Sequence, residues 1–182
     1  MSTFEYVFGL ISIMSSLALT QLVSGVVRII REDRARTLDA TSWLWIWAAL
    51  ATVVGNWGSF WGSRTLENWT APLVLGNLAL MIAQYAWCEF IFPRDGVEPT
   101  FRDRRRVVAT VLLMIVIAVA MNVASAAFYP GWWRDTLLSL LLAAIMLPLL
   151  FMRNRWVQLS GAALLAIEST YFLASAAAIV AS

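Results

Sequence analysis

Six stretches of the chain, at about 4–28, 41–62, 71–92, 107–128, 136–152 and 156–180, are apolar runs of roughly the length that crosses a bilayer. Nothing else in the 182 residues constrains the fold as strongly. A soluble core cannot account for six such runs, because too few polar residues remain to cover it. Only 13% of the residues are charged, against about 25% in ordinary soluble domains. Backbone polar groups in hydrocarbon must be satisfied within their own segment, which for separate apolar runs means helices. The expected fold is all-α, a single domain over 1–182 that forms a polytopic bundle of six transmembrane helices.

The missing residue types narrow the chemistry. All 13 basic residues are Arg, because the chain has no Lys, and it has no His. Without Lys there is no Schiff-base or Ser-Lys chemistry. Without His there is no imidazole-ligated metal or haem and no Ser-His or Cys-His nucleophile. Cys88 stands alone, so it makes neither an intramolecular disulfide nor a CxxC pair. Together with Met81 it is too little for a soft-metal site. No enzymatic activity, cofactor or metal is expected. The Arg residues lie mostly between apolar runs, where they report orientation, and no nucleic-acid partner is expected. The first run lacks a basic leader and a small-residue cleavage pattern, so it is expected to be retained.

Arginine is unevenly distributed among the connections. Arg28, Arg31, Arg34 and Arg36 follow the first run, Arg94, Arg102, Arg104, Arg105 and Arg106 follow the third, and Arg153 and Arg155 follow the fifth. Arg64 and Arg134 are the only ones in the second and fourth connections. Positive residues stay inside, which puts both termini outside the cytoplasm. Trp43, Trp45, Trp47, Trp87 and Trp156 gather at one expected interface, and Trp57, Trp61, Trp69, Trp132 and Trp133 at the other. Arg104, Arg105 and Arg106 are candidates for contact with lipid headgroups on the cytoplasmic side. Pro93-Arg-Asp-Gly96 reads as a turn, and Pro148 as a kink near the end of the fifth run.

Polar residues inside the runs fall in rows. Glu5, Gly9, Ser12, Ser16 and Thr20 recur at helical spacing, as do Thr52, Asn56, Ser59 and Ser63 beside Gly55, Gly58 and Gly62, and Asn77, Met81, Gln84 and Cys88. Asn122 and Ser125 close the fourth run. Such rows face other protein, either as packing surface or as the wall of a polar cavity. Glu168 lies twelve residues from both Trp156 and Val180, near the middle of the sixth run. A carboxylate there costs several kcal/mol, with the amount disputed. It shares a face with Gly161, Tyr171 and Ser175. Glu168, Tyr171 and Ser175 form the candidate ion or proton site. Glu5, Ser12, Ser16, Thr20, Asn56, Asn77, Gln84 and Asn122 are the candidate pocket lining, with the first helix expected to pack against the helix bearing Glu168.

The segment Phe4-Glu5-Tyr6-Val7 followed by Leu17-Ala-Leu-Thr-Gln-Leu-Val-Ser-Gly25 resembles the start of small uncharacterised bacterial multi-pass membrane proteins. The resemblance covers about the first thirty residues, implies the bacterial cytoplasmic membrane and brings no function with it. Six-helix potassium-channel units with a Phe-Ser-Asp motif in the first helix are a poor match, because that motif is missing. The expected function is a small homo-oligomeric channel, or a transporter coupled to a proton or monovalent cation, that uses Glu168 and an outward-open polar pocket. The alternative is a non-transporting membrane subunit or lipid-binding module whose polar residues hold helices together. The bilayer and further copies of the chain are its expected partners.

Overall fold

A computed structural model describes residues 3–31, 38–65, 69–92, 101–127 and 130–181. It consists of six long helices: α1 (Thr3–Arg31), α2 (Ala40–Trp61), α3 (Ala71–Phe90), α4 (Phe101–Ala124), α5 (Trp132–Met146) and α6 (Arg155–Ala181). Short 3-10 segments, Gly62–Thr65 and Leu147–Leu150, extend α2 and α5. Five helices are long and apolar enough to cross a membrane: α1, α3, α4, α5 with its 3-10 extension, and α6. The remaining helix, α2, has 22 residues, half of them buried. The expected turn over 93–96, along with Arg34, Arg36 and Arg94, lies outside the described residues.

Several boundaries differ from the expected ones, among them the end of α1 at Arg31, the end of α4 at Ala124 and the start of α5 at Trp132, and two of the differences have clear physical reasons. α4 starts at Phe101 rather than at 107, so Arg102, Arg104, Arg105 and Arg106 ride on a helix and not in a loop. Arg is a strong helix former, and nothing in this stretch breaks the ladder. α5 stops at Met146 and passes into the 3-10 turn Leu147–Leu150, because Pro148 supplies no N–H for an α-helical bond.

The helices run alternately up and down, which collects Arg28, Arg31, the α4 arginines, Arg153 and Arg155 at one end. α1 lies parallel to α3: Ser15 Oγ donates to Met81 Sδ at 3.7 Å, the Gln21 amide donates to the Glu89 carboxylate, and the Phe92 ring sits against Gly25. α4 lies antiparallel to α3, with Met121 over Gly76. α5 pairs with α4, and α2 bridges α1 and α6. The expected pairing of α1 with the helix bearing Glu168 is therefore replaced: α6 takes α2 as its partner, and α1 takes α3 and α2.

The α2–α6 seam has a clear cause in sequence. Gly55, Gly58 and Gly62 form a strip without side chains on α2, opposite Phe172, Ala176 and Ile179. A Cβ at Gly55 would lie 2.7 Å from the Phe172 ring, and one at Gly58 would lie 3.3 Å from the Ala176 methyl. Small residues are what let backbones approach when hydrocarbon surrounds the helices and supplies no hydrophobic drive. Both residue numbers rise together along the seam, so α2 and α6 are parallel.

Burial is concentrated at the Arg-rich end. One core joins Ala18 and Leu22 of α1, Trp45 and Ala49 of α2, Trp87 and Cys88 of α3, Val108 and Ile115 of α4, and Leu149, Ala162 and Leu165 from the α5–α6 hairpin. Trp45 and Trp87, expected at the membrane interface, are instead only 4% and 1% exposed and pack edge to face at 6.4 Å. Their large apolar rings serve the core here rather than a headgroup layer. At the opposite end Phe4, Phe8, Phe60, Trp61 and Trp69 stack together and keep α1, α2 and α3 closed. Beyond Ile115 no described residue of α4 is buried, and α5 buries only Met146. Past mid-length the described residues of α4 are at most half-buried, with Ile117 and Val119 still against the core, and α5 has little contact with α6.

The Arg-rich end is also tied by polar contacts. Asp39 caps α2 by accepting from Ser42 N at 2.9 Å and Ser42 Oγ at 2.7 Å, and Arg104 of α4 donates to its other oxygen at 2.6 Å. Burial opposes the charge on Asp39, but the Ser42 hydrogen bonds and the Arg104 guanidinium outweigh it and hold the carboxyl below the ordinary carboxylate range. Because its folded value is depressed, Asp39 contributes stability above the unfolded value of about 3.9 and loses it as pH falls through the lower folded value. Asp39→Ala is expected to cost about 1 kcal/mol at neutral pH. The deficit is expected to shrink as pH falls below about 4 and Asp39 becomes protonated, read as thermal midpoint against pH.

Candidate functional site: a mid-depth cleft bearing Glu168

The site is built where α6 parts from its hairpin partner. Near its start α6 is locked down: Gln158, 2% exposed, donates to the carbonyls of Leu149 at 2.9 Å and Met152 at 2.8 Å, groups left free where the 3-10 turn ends at Leu150. One turn on, Gly161 lies under the Leu149 side chain. Two further turns along the same face comes Glu168, and there the face is open. Glu168 is exposed, and its carboxyl has no hydrogen-bond or ion-pair partner among the described residues.

Helix geometry fixes which way this face looks. On the seam, Thr52 Oγ1 donates to Ser169 Oγ at 3.1 Å. Trp47 Nε1 donates to Thr170 Oγ1 at 2.9 Å, which closes one flank of the parallel α2–α6 pair. Asn56 and Glu168 project on the opposite flank, by the turn of about 100° per residue. Asn56 Nδ2 donates to Gln84 Oε1 at 3.2 Å, so this flank faces α3. Met121 over Gly76 likewise brings Asn77 and Asn122, the next residue on each helix, to one side of the antiparallel α3–α4 seam. These directions set Asn56 and Glu168 on one side of a candidate cleft and Asn77 and Asn122 on the other, while Gln84, expected to line a pocket, is buried and joins the two sides through Asn56.

These polar groups are only partly satisfied. Gln84 is 1% exposed and its Nε2 has no partner among the described residues. Asn122 is half-buried with its amide unpartnered among the described residues, whereas Asn77 donates to the Leu73 carbonyl of its own helix at 2.8 Å. Ser175 Oγ donates to the Tyr171 carbonyl at 3.0 Å, and the Tyr171 side chain is 76% exposed beside Glu168.

The other sequence candidates lie elsewhere. Glu5, Ser16 and Thr20 are on the exposed side of α1, along with Gly9, beside which a Cβ would meet nothing within 4 Å. Ser16 and Thr20 donate to the carbonyls of Ser12 and Ser16, so their hydroxyls need no partner helix. α1 packs through a neighbouring row, Val7, Ile11, Ser15, Ala18, Leu22 and Ile29. Ser12 of the stripe reaches across, accepting from Trp57 Nε1 at 3.2 Å. Arg104 is engaged by Asp39 and Arg106 lies 3.7 Å from Asp103, while Arg105 is exposed. Ser169 and Gln158 were not singled out from sequence. The spacing of seven in Ala162, Ser169 and Ala176, matched to the α2 glycines, is the signal that marks the first of them.

The fold and the cleft define an all-α protein with the helices of an integral membrane protein. Comparison with family models, curated proteins and solved structures returned no match.

Proposed function

We propose that the chain is a six-span membrane carrier or channel with both termini outside the cytoplasm, and that Glu168 binds a proton or monovalent cation in a cleft open to the outer side. The observation that carries this reading is Glu168 itself, a carboxylate in the middle of a membrane-length helix, exposed and without a partner among the described residues. A purely structural carboxyl would be expected to find a hydrogen-bond donor, because leaving it bare in hydrocarbon is costly. Asn56, Asn77 and Asn122 supply polar groups along the approach, with the buried Gln84 bonded to Asn56. Arg105 and its neighbours on α4 would meet the headgroups of the bacterial cytoplasmic membrane. A chain of 20.3 kDa is small for a lone transporter, and assembly into a homo-oligomer would relieve that limitation. The test is proton and sodium flux into liposomes carrying the purified full chain. Wild type is expected to conduct well above empty liposomes and Glu168→Gln to fall to their level, and equal flux in both would remove Glu168 from the mechanism.

The second reading, a non-transporting subunit, is favoured by the Thr52–Ser169 and Asn56–Gln84 bonds, which join helices whatever else the protein does. It predicts that Glu168→Gln changes no flux.

A further inference from the structure

Resting on the reading of Glu168 as the charge of the cleft, we propose that its substrate is a hydrophobic organic cation that enters sideways from the bilayer between α5 and α6. Three observations point there. Among the described residues, the cleft walls contributed by α2, α3 and α4 carry amides and hydroxyls but no ionisable group, so Glu168 sets a net negative charge without a competing cation. On α6 only the Tyr171 and Ser175 hydroxyls share the carboxyl's face, too few oxygens to replace the water of a small inorganic cation. Around the carboxyl lie instead Leu164, Tyr171 and Phe172, a broad apolar and aromatic surface. A large, weakly hydrated cation loses little by leaving water and gains from the carboxylate and the Tyr171 face together.

The route follows from the packing. α5 and α6 meet only at their joined end, where Gly161 seats on Leu149 and Gln158 caps the hairpin. Above that point Leu137, Leu138, Leu141 and Ile145 of α5 and Leu164 and Ile167 of α6 are exposed. A ligand dissolved in the acyl region reaches Glu168 without crossing a headgroup layer.

Tetraphenylphosphonium is the probe, with its binding to the purified full chain measured by equilibrium dialysis and proton flux measured in parallel on the same reconstituted samples. Wild type is expected to bind saturably, Glu168→Gln to bind at least about 20-fold more weakly, and Glu168→Asp to retain most of the affinity. Tyr171→Ala is expected to weaken binding about fivefold and Tyr171→Phe to restore it. Equal affinity in wild type and Glu168→Gln overturns the proposal, since the probe then only partitions onto apolar surface. Absence of saturable binding while Glu168-dependent proton flux persists overturns it too, but leaves the carrier reading standing. Absence of both removes the two together.

Discussion

Leucine in place of Gly55 is expected to lower stability by about 3 kcal/mol, seen as a large drop in thermal midpoint in detergent, and to abolish any Glu168-dependent flux. The first carbon added at this position already lies 2.7 Å and 2.8 Å from two atoms of the Phe172 ring, and the Leu173 backbone is 3.5 Å away. The three further carbons of leucine have nowhere to go unless α6 moves off α2. That movement stretches the Thr52–Ser169 bond and takes Glu168 out of register with Asn56. Gly55→Ala is a graded control: the Phe172 ring can swing aside, and alanine recovers about 1 kcal/mol of helix propensity, so its loss is expected to be small. Gly9→Leu on the open side of α1 is expected to do almost nothing. Equal losses at Gly9 and Gly55 would mean that the α2–α6 contact is not what holds this half of the bundle.

The contrast between Gly9 and Gly55 also shows what the sequence reveals and what it hides. That the chain makes long apolar helices is legible, because length and hydropathy are properties of each segment alone. Which helix touches which is a property of pairs, and hydropathy does not encode it. The α1 stripe read as a packing face because Ser and Thr at helical spacing imply partners. Ser16 and Thr20 find those partners in the carbonyls one turn back in their own helix, which leaves the adjoining row from Val7 to Ile29 to pack. Trp45 and Trp87 misled for a related reason: tryptophan suits an interface, yet its area suits a core equally well. The α2–α6 seam could be read in advance only by matching the glycines of α2 to the sevenfold spacing of Ala162, Ser169 and Ala176. Glu168 stood out because a midspan carboxylate is costly wherever it points. That it faces an open cleft depends on where α5 leaves α6, which the Pro148 break and the Gln158 cap decide.

The Asn56–Gln84 bond separates glue from function. Asn56→Leu removes the donor facing a Gln84 side chain that is 1% exposed and already has an unpartnered Nε2, so the whole amide is left buried with nothing to bond. The expected cost is about 1 to 2 kcal/mol, near the upper end for such bonds in membranes, because a stranded partner adds its own desolvation penalty. Pairing the change with Gln84→Met is expected to recover most of the loss, since two apolar groups of matching size strand no amide. The double variant then retains the packing while lacking the Asn56 and Gln84 amides, with those of Asn77 and Asn122 unchanged. If the polar residues only hold helices together, it behaves as wild type in every transport assay once its stability is restored. If the amides form the approach to Glu168, its stability recovers and its flux stays low. A double variant no more stable than Asn56→Leu alone would show that the helices at this depth are positioned by the α2–α6 glycine seam and the aromatic cluster, with the hydrogen bond following the packing and not setting it.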